Sequence, residues 1–156
     1  MSGDIFVDID GIEGESQDAM HPRAIQASSW NWDIRQNAAN MSGSGGGASK
    51  ASAGDLTFIH QIDRASPNLA VYCFNGTRIR QVRLTLRKAG GVPFEYFRIT
   101  LGDVVITHVS PAGGGSMAIE TVSLSFTTMK QEYFPQSITG GAMGAVTAVI
   151  DLRQFR

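Results

Sequence analysis

The side chains in this 156-residue chain that could carry catalysis or hold a metal are three histidines, one cysteine and fourteen acidic residues. His21, His60 and His108 lie far apart, and none has a partner at the short spacing from which metal sites are built. Asp8, Asp10, Glu13 and Glu15 resemble the start of a calcium loop, but Ile12 stands where a further Asp or Asn is needed and no helices flank the stretch, so it reads as a solvated turn. Gly43-Ser44-Gly45-Gly46-Gly47-Ala48 fits the glycine spacing of a dinucleotide fingerprint without the strand and helix that give that spacing its mechanism. Cys73 falls in a helical pattern with no activating base nearby in sequence, and no serine, histidine and acid set carries a local signature. The chain reads as a non-enzyme that needs no cofactor.

Something other than chemistry at a site must then account for the composition. With 42% hydrophobic residues, a chain of this length supports one domain over residues 1–156, burying roughly 70% of its unfolded surface. Charged residues make up only 17%, against about 25% in an average soluble domain. Part of the surface is therefore expected to face something other than water. The formal net charge of -1 provides no field for gathering nucleic acid or an anionic membrane. One cysteine excludes an intrachain disulfide framework, and no charged start followed by an apolar run marks a signal peptide or a membrane span. Synthesis in a reducing cytoplasm is the expectation.

Apolar residues recur with period two, so the chain is expected to be mainly β, a small closed barrel. Ile5, Val7 and Ile9 form one row, Leu56, Phe58, His60 and Ile62 a second, and Val82, Leu84 and Leu86 a third. Phe97, Ile99 and Leu101 form another, whose phase blurs beyond Gly102 as it would at a bulge. Val122, Leu124 and Phe126, and then Val146, Ala148, Ile150 and Leu152, complete the wall strands. Ser66-Pro67 offers a cap and a first-turn proline, and Asn75-Gly76 a left-handed stop, which predicts one short α-helix packed on the barrel through Leu69, Tyr72 or Cys73. Residues 38–54, centred on Ser42, Gly43, Ser44, Gly45, Gly46 and Gly47, have no periodicity and predict a long Gly/Ser-rich extended loop.

Taken together, several segments make the chain resemble the Hcp family of type VI secretion tube proteins. They are Gly14-Glu15-Ser16 followed by His21, Ser29-Trp30-Asn31-Trp32, Asp55-Leu56-Thr57-Phe58, Ser66-Pro67-Asn68-Leu69, Arg87-Lys88-Ala89-Gly90-Gly91, and Glu95-Tyr96 leading into Ile99-Thr100-Leu101. The resemblance implies a barrel with one helix that assembles as a hexameric ring. Such rings stack into a hollow tube inside a contractile sheath, capped by a spike tip protein. It also implies export to the extracellular space or a target cell, with effector proteins held in the lumen. Two departures stand out. Ile150-Asp151-Leu152 replaces a Trp-Asp-Leu-like ending, and Asn31 occupies a position usually small.

Trp30 and Trp32 share one face of a strand and are expected to pack in the core or at an interface, leaving Ser29, Asn31 and Asp33 on the opposite face; the resemblance makes these three the candidate lumen and cargo contacts. Ser42 to Gly47 are the candidate ring-stacking loop, because glycine backbone can approach a neighbour closely. Ser123, Ser125, Thr127 and Thr85 present outward faces that are neither apolar nor charged, and suit contacts between subunits. Arg78, Arg80, Arg83, Arg87 and Lys88 concentrate charge on one strand without interleaved aromatics, which favours pairing with acids of the next subunit over nucleic acid. Arg83 and Arg87 thus join the candidate interface. Two other readings compete: a phage-type tail tube protein, which shares the assembly logic, and a small-ligand barrel, whose interior would need more room than these Val, Leu, Ile and Phe rows leave.

Overall fold

In the computed structural model, which describes residues 3–36, 51–90, 92–136 and 144–154, alternation of apolar side chains yields nine strands and one α-helix. They follow in the order β1 (Asp4–Ile9), β2 (Ile25–Asn31), β3 (Ile34–Gln36), β4 (Ala51–Ala53), β5 (Leu56–Gln61), α1 (Ser66–Asn75), β6 (Arg78–Lys88), β7 (Phe94–Gly114), β8 (Met117–Tyr133) and β9 (Val146–Asp151). Six strands close a barrel in the order β5-β2-β1-β6-β7-β8, with β8 returning to pair with β5. All of these pairings are antiparallel. The interior is filled by Leu56, Phe58, Leu84, Ile99, Leu101, Ile106 and Leu124, each no more than 2% exposed. Burying such side chains contributes about 1.5–3 kcal/mol apiece.

The barrel turns a corner along one line crossing three strands. On β6, β7 and β8, two residues instead of one separate successive inward side chains: Arg80-Gln81 between Ile79 and Val82, Gly102-Asp103 between Leu101 and Val104, and Thr127-Thr128 between Phe126 and Met129. Asp103 takes φ 53°, and its carboxylate accepts from Arg78 Nη1 at 2.6 Å and Thr127 Oγ1 at 3.0 Å. Gly102 leaves room there for the Thr128 hydroxyl, which a Cβ would force to turn aside. The blurred phase beyond Gly102 is this corner, joined by a register shift between Ile106 and His108.

Helix α1 spans the expected residues but starts differently. Its N-cap is Ala65, with no side-chain cap; the Ser66 hydroxyl accepts instead from the Asp63 amide, and Asp63 Oδ1 accepts from the Ala65 amide. Gly76 supplies the left-handed stop at φ 62°. Leu69 is fully buried, with Tyr72 and Cys73 packed against the core.

Two strand expectations are corrected. β9 is not a barrel wall: it lies beside β8 outside the closed ring of strands, so Val146 and Ala148 are exposed while Ile150 and Leu152 pack on the core. Ile62 lies past the end of β5 and is exposed.

Candidate functional site

The barrel has two unlike walls. A bulge in β2 between Ala27 and Ser29 creates the first. Ile25 and Ala27 point inward; Ser28 then leaves the ladder, its hydroxyl donating to the Ile59 carbonyl at 3.1 Å, and the inward phase passes to Trp30 and Trp32. Trp30 stacks on Phe97, and Trp32 packs against Phe126 while its Nε1 donates to the Gly54 carbonyl at 2.9 Å. Ser29, Asn31 and Asp33 are consequently exposed on the far side.

Strand register carries that exposed surface across the barrel. Asn31 pairs with Thr57 on β5, Thr57 with Ser123 on β8, and the Thr57 and Ser123 hydroxyls lie 2.9 Å apart. One row along, Ser29 pairs with Ile59, Ile59 with Thr121 and Thr121 with Ser110 on β7. Ser125 continues the β8 row. Hydroxyls, amides and small apolar groups cover this wall, and its acids stand only at the rim. Asp33 is 3.1 Å from the Arg35 guanidinium, and Asp55 accepts from Thr107 Oγ1 at 2.6 Å. Gly54 is confined here, since a Cβ would lie 2.6 Å from Asp33 Oδ1.

The opposite wall, on β1, β6 and the first half of β7, is charged and partly roofed by the loop from Gly11 to Ala24. Phe6 faces outward yet is buried, because His21 from that loop stacks on it at 4.5 Å and the Arg87 guanidinium lies 4.8 Å from its ring centre. Arg87 bonds Asp18 at 2.7 Å and Asp4 at 2.9 Å, which lowers the Asp18 carboxyl to about 2 and raises the guanidinium further. His21 Nε2 lies 2.6 Å from Glu95 Oε2, fixing the roof to β7.

The structure thus brings together residues the sequence kept apart: Ser29 and Asn31, expected to touch cargo, share one neutral wall with Ser123 and Ser125, expected at subunit contacts. Thr127 lies at the corner, bonded to Asp103. Thr85 is corrected outright, being fully buried opposite Phe6 beneath the loop and closed to any neighbour. Arg87 is corrected as well, since its carboxylates come from its own chain. Arg83 remains half-buried on β6. Ser42 to Gly47 lie outside the described residues. Sequence reasoning missed Thr57, Thr121 and the roof. Thr57 alternates visibly with Leu56 and Phe58, whereas nothing local marks His21 as the partner of Phe6. Among the described residues no group of three His, Cys, Asp or Glu is placed to hold a metal ion.

Comparison with known proteins bears on what such a barrel is for. The family model described as type VI secretion system effector, Hcp, matches residues 6–133. Protein hcp1 of Pseudomonas aeruginosa is 38% identical over 147 residues, covering 92% of this chain and 91% of that protein. The crystal structure of Hcp1 from Salmonella typhimurium superposes with a TM-score of 0.82 at 43% identity, covering 100% of this chain and 99% of the other. That of a type VI secretion system effector from Yersinia pestis gives 0.77 at 42% identity, over 95% and 99%.

Proposed function

The chain belongs to the Hcp family of type VI secretion tube proteins, and on that premise we propose that it closes into hexameric rings whose lumen is lined by the neutral wall of β2, β5 and β8. Rings stack into a tube, effector proteins ride in the lumen, and the sheath and spike tip enclose and cap it. Export carries the protein out of the bacterium.

The observation that carries this reading is the row Asn31, Thr57, Ser123, a continuous hydroxyl and amide surface with no charge along it. A lumen that must pass cargo of either sign is best served by groups that exchange weak hydrogen bonds with water and with cargo alike. A ring also needs two different patches per subunit, joined by a rotation that closes. Residues 42–47 supply the stacking contact in this reading.

Native mass spectrometry across a concentration series, paired with effector pull-down, tests it. The expected species is a hexamer, and Asn31→Glu should leave that hexamer intact while changing which effectors are retained. A protein that stays monomeric at millimolar concentration ends the ring reading. A hexamer whose cargo ignores Asn31→Glu ends the assignment of this wall to the lumen.

A further inference from the structure

The roof from Gly11 to Ala24 is fastened in two ways. Its base is zipped by backbone hydrogen bonds: the Gly14 amide donates to the Arg23 carbonyl, the Arg23 amide to that of Ser16 and the Ser16 amide to that of Ala24. Its tip, residues 17–22, is held otherwise, since among the described residues no backbone hydrogen bond joins it to β1, β6 or β7. Side chains alone keep the tip down. Asp18 bonds Arg87 on β6, and His21 lies stacked on Phe6 with its ring nitrogens turned to acids of two different strands. Nε2 is 2.6 Å from Glu95 Oε2 on β7, and Nδ1 is 3.5 Å from Asp8 Oδ2 on β1.

These two fastenings answer differently to protons. The Arg87 guanidinium holds the Asp18 carboxyl at about 2, so that pair stays charged at any pH near neutrality. An imidazole gains and loses its charge in that range. Only the imidazolium has two N–H donors, one for each carboxylate; the neutral ring keeps one donor and turns a lone pair toward the other acid. Attraction on one side of the ring then becomes repulsion. The other charges around it are guanidiniums, which do not titrate: Arg83 pairs in register with Asp8, Arg87 lies over Phe6, and Arg98 is 3.6 Å from Glu95 Oε1.

We propose that His21 is a pH-sensitive pin of the roof. With the imidazole charged, the tip lies closed over Phe6 and Thr85; with it neutral, the tip lifts about its backbone-bonded base. Closed, those two residues are at most 1% exposed. Lifting uncovers them and draws Met20 away from the cleft that it lines with Pro93, Phe94 and Phe134. Exposure of apolar surface on the charged wall thereby becomes a function of pH.

Amide exchange of the full chain between about pH 5.5 and 8.5, read by mass spectrometry and corrected for the intrinsic pH dependence of exchange, tests the assignment. Protection of peptides covering residues 14–24, taken relative to peptides from β6, should fall about fivefold or more as pH rises through that range. His21→Gln carries no charge at any pH, so its roof should be less protected at the acid end and the ratio to β6 flat. His60→Gln removes the other histidine that faces two acids and should keep the wild-type slope. If His21→Gln does not fold, Asp8→Asn serves in its place: an amide offers Nδ1 either a donor or an acceptor, and the slope should flatten. A wild-type ratio that is constant or rises with pH overturns the proposal. So does a slope that survives in His21→Gln, or in Asp8→Asn where that variant stands in. A slope that disappears in His60→Gln overturns it too, because the switch then lies in the core.

Discussion

His60 occupies an inward position on β5 where alternation calls for an aliphatic group, and it is 1% exposed. It fits because its register partner on β8 is Glu120, also buried, whose Oε1 accepts from His60 Nε2 at 2.8 Å, while Asp63 Oδ2 lies 3.6 Å from Nδ1. Burial alone would push the imidazole down, but the Asp63 and Glu120 carboxylates outweigh it and hold the ring above its usual value of 6.5. Because the folded value is the higher one, the stabilisation is complete below the unfolded value and is lost as pH rises through the folded one. The urea midpoint advantage of wild type over His60→Gln should therefore shrink as pH is raised from about 6 to about 9. A constant or growing advantage would show that the proton on His60 does not contribute. That His60 stands in an apolar row was legible. Its partner was not, because only the β5 and β8 register brings Glu120 opposite it.

Glycines mark where elements approach too closely for a side chain, and the approaching atom decides the consequence. At Gly14 a Cβ would lie 2.6 Å from the Ala24 carbonyl oxygen and 2.8 Å from the Ile25 Cα, both backbone. At Gly102 the obstacle is the Thr128 hydroxyl, which can rotate away. Gly14→Ala should accordingly cost about 1–3 kcal/mol in chemical unfolding, and Gly102→Ala less than about 1 kcal/mol, falling further in a Thr128→Ala background. Equal costs at the two positions would mean that the roof yields as easily as a side chain. At this scale the strands were readable wherever period two ran unbroken, as on β1, β5 and β6 beyond Val82. The phase change at Ser28 was not, since a bulge of serines differs in no local way from a strand of serines. β9 was misplaced for a related reason: an apolar row does not say whether its neighbour is a barrel wall or a strand added beside one.

The whole molecule is a barrel with one neutral and one charged wall. That division explains why a chain with few charges places so many of them together, on β1, β6 and the roof. It was only half legible in the sequence: the polar, uncharged residues were visible as types, but their gathering on one side depends on pairing between strands distant along the chain. If residues 42–47 make the contact between rings, deleting them should leave hexamers intact, because loop closure shifts by only about 1 kcal/mol, and should abolish stacked particles in electron micrographs of concentrated protein. Loss of the hexamer in that variant would assign the segment to the ring itself. One further property follows from β7, which runs unbroken from Phe94 to Gly114 and is laddered to β6 over its first half and to β8 along most of its length. A push along this strand loads those backbone hydrogen bonds in shear, and the Gly102-Asp103 corner and the bulge between Ile106 and His108 are the points where the ladder is interrupted and the strand can bend. Should the proposed column be driven from one end, those two interruptions are where each subunit would first yield, and the straight stretches between them are where force would pass unchanged.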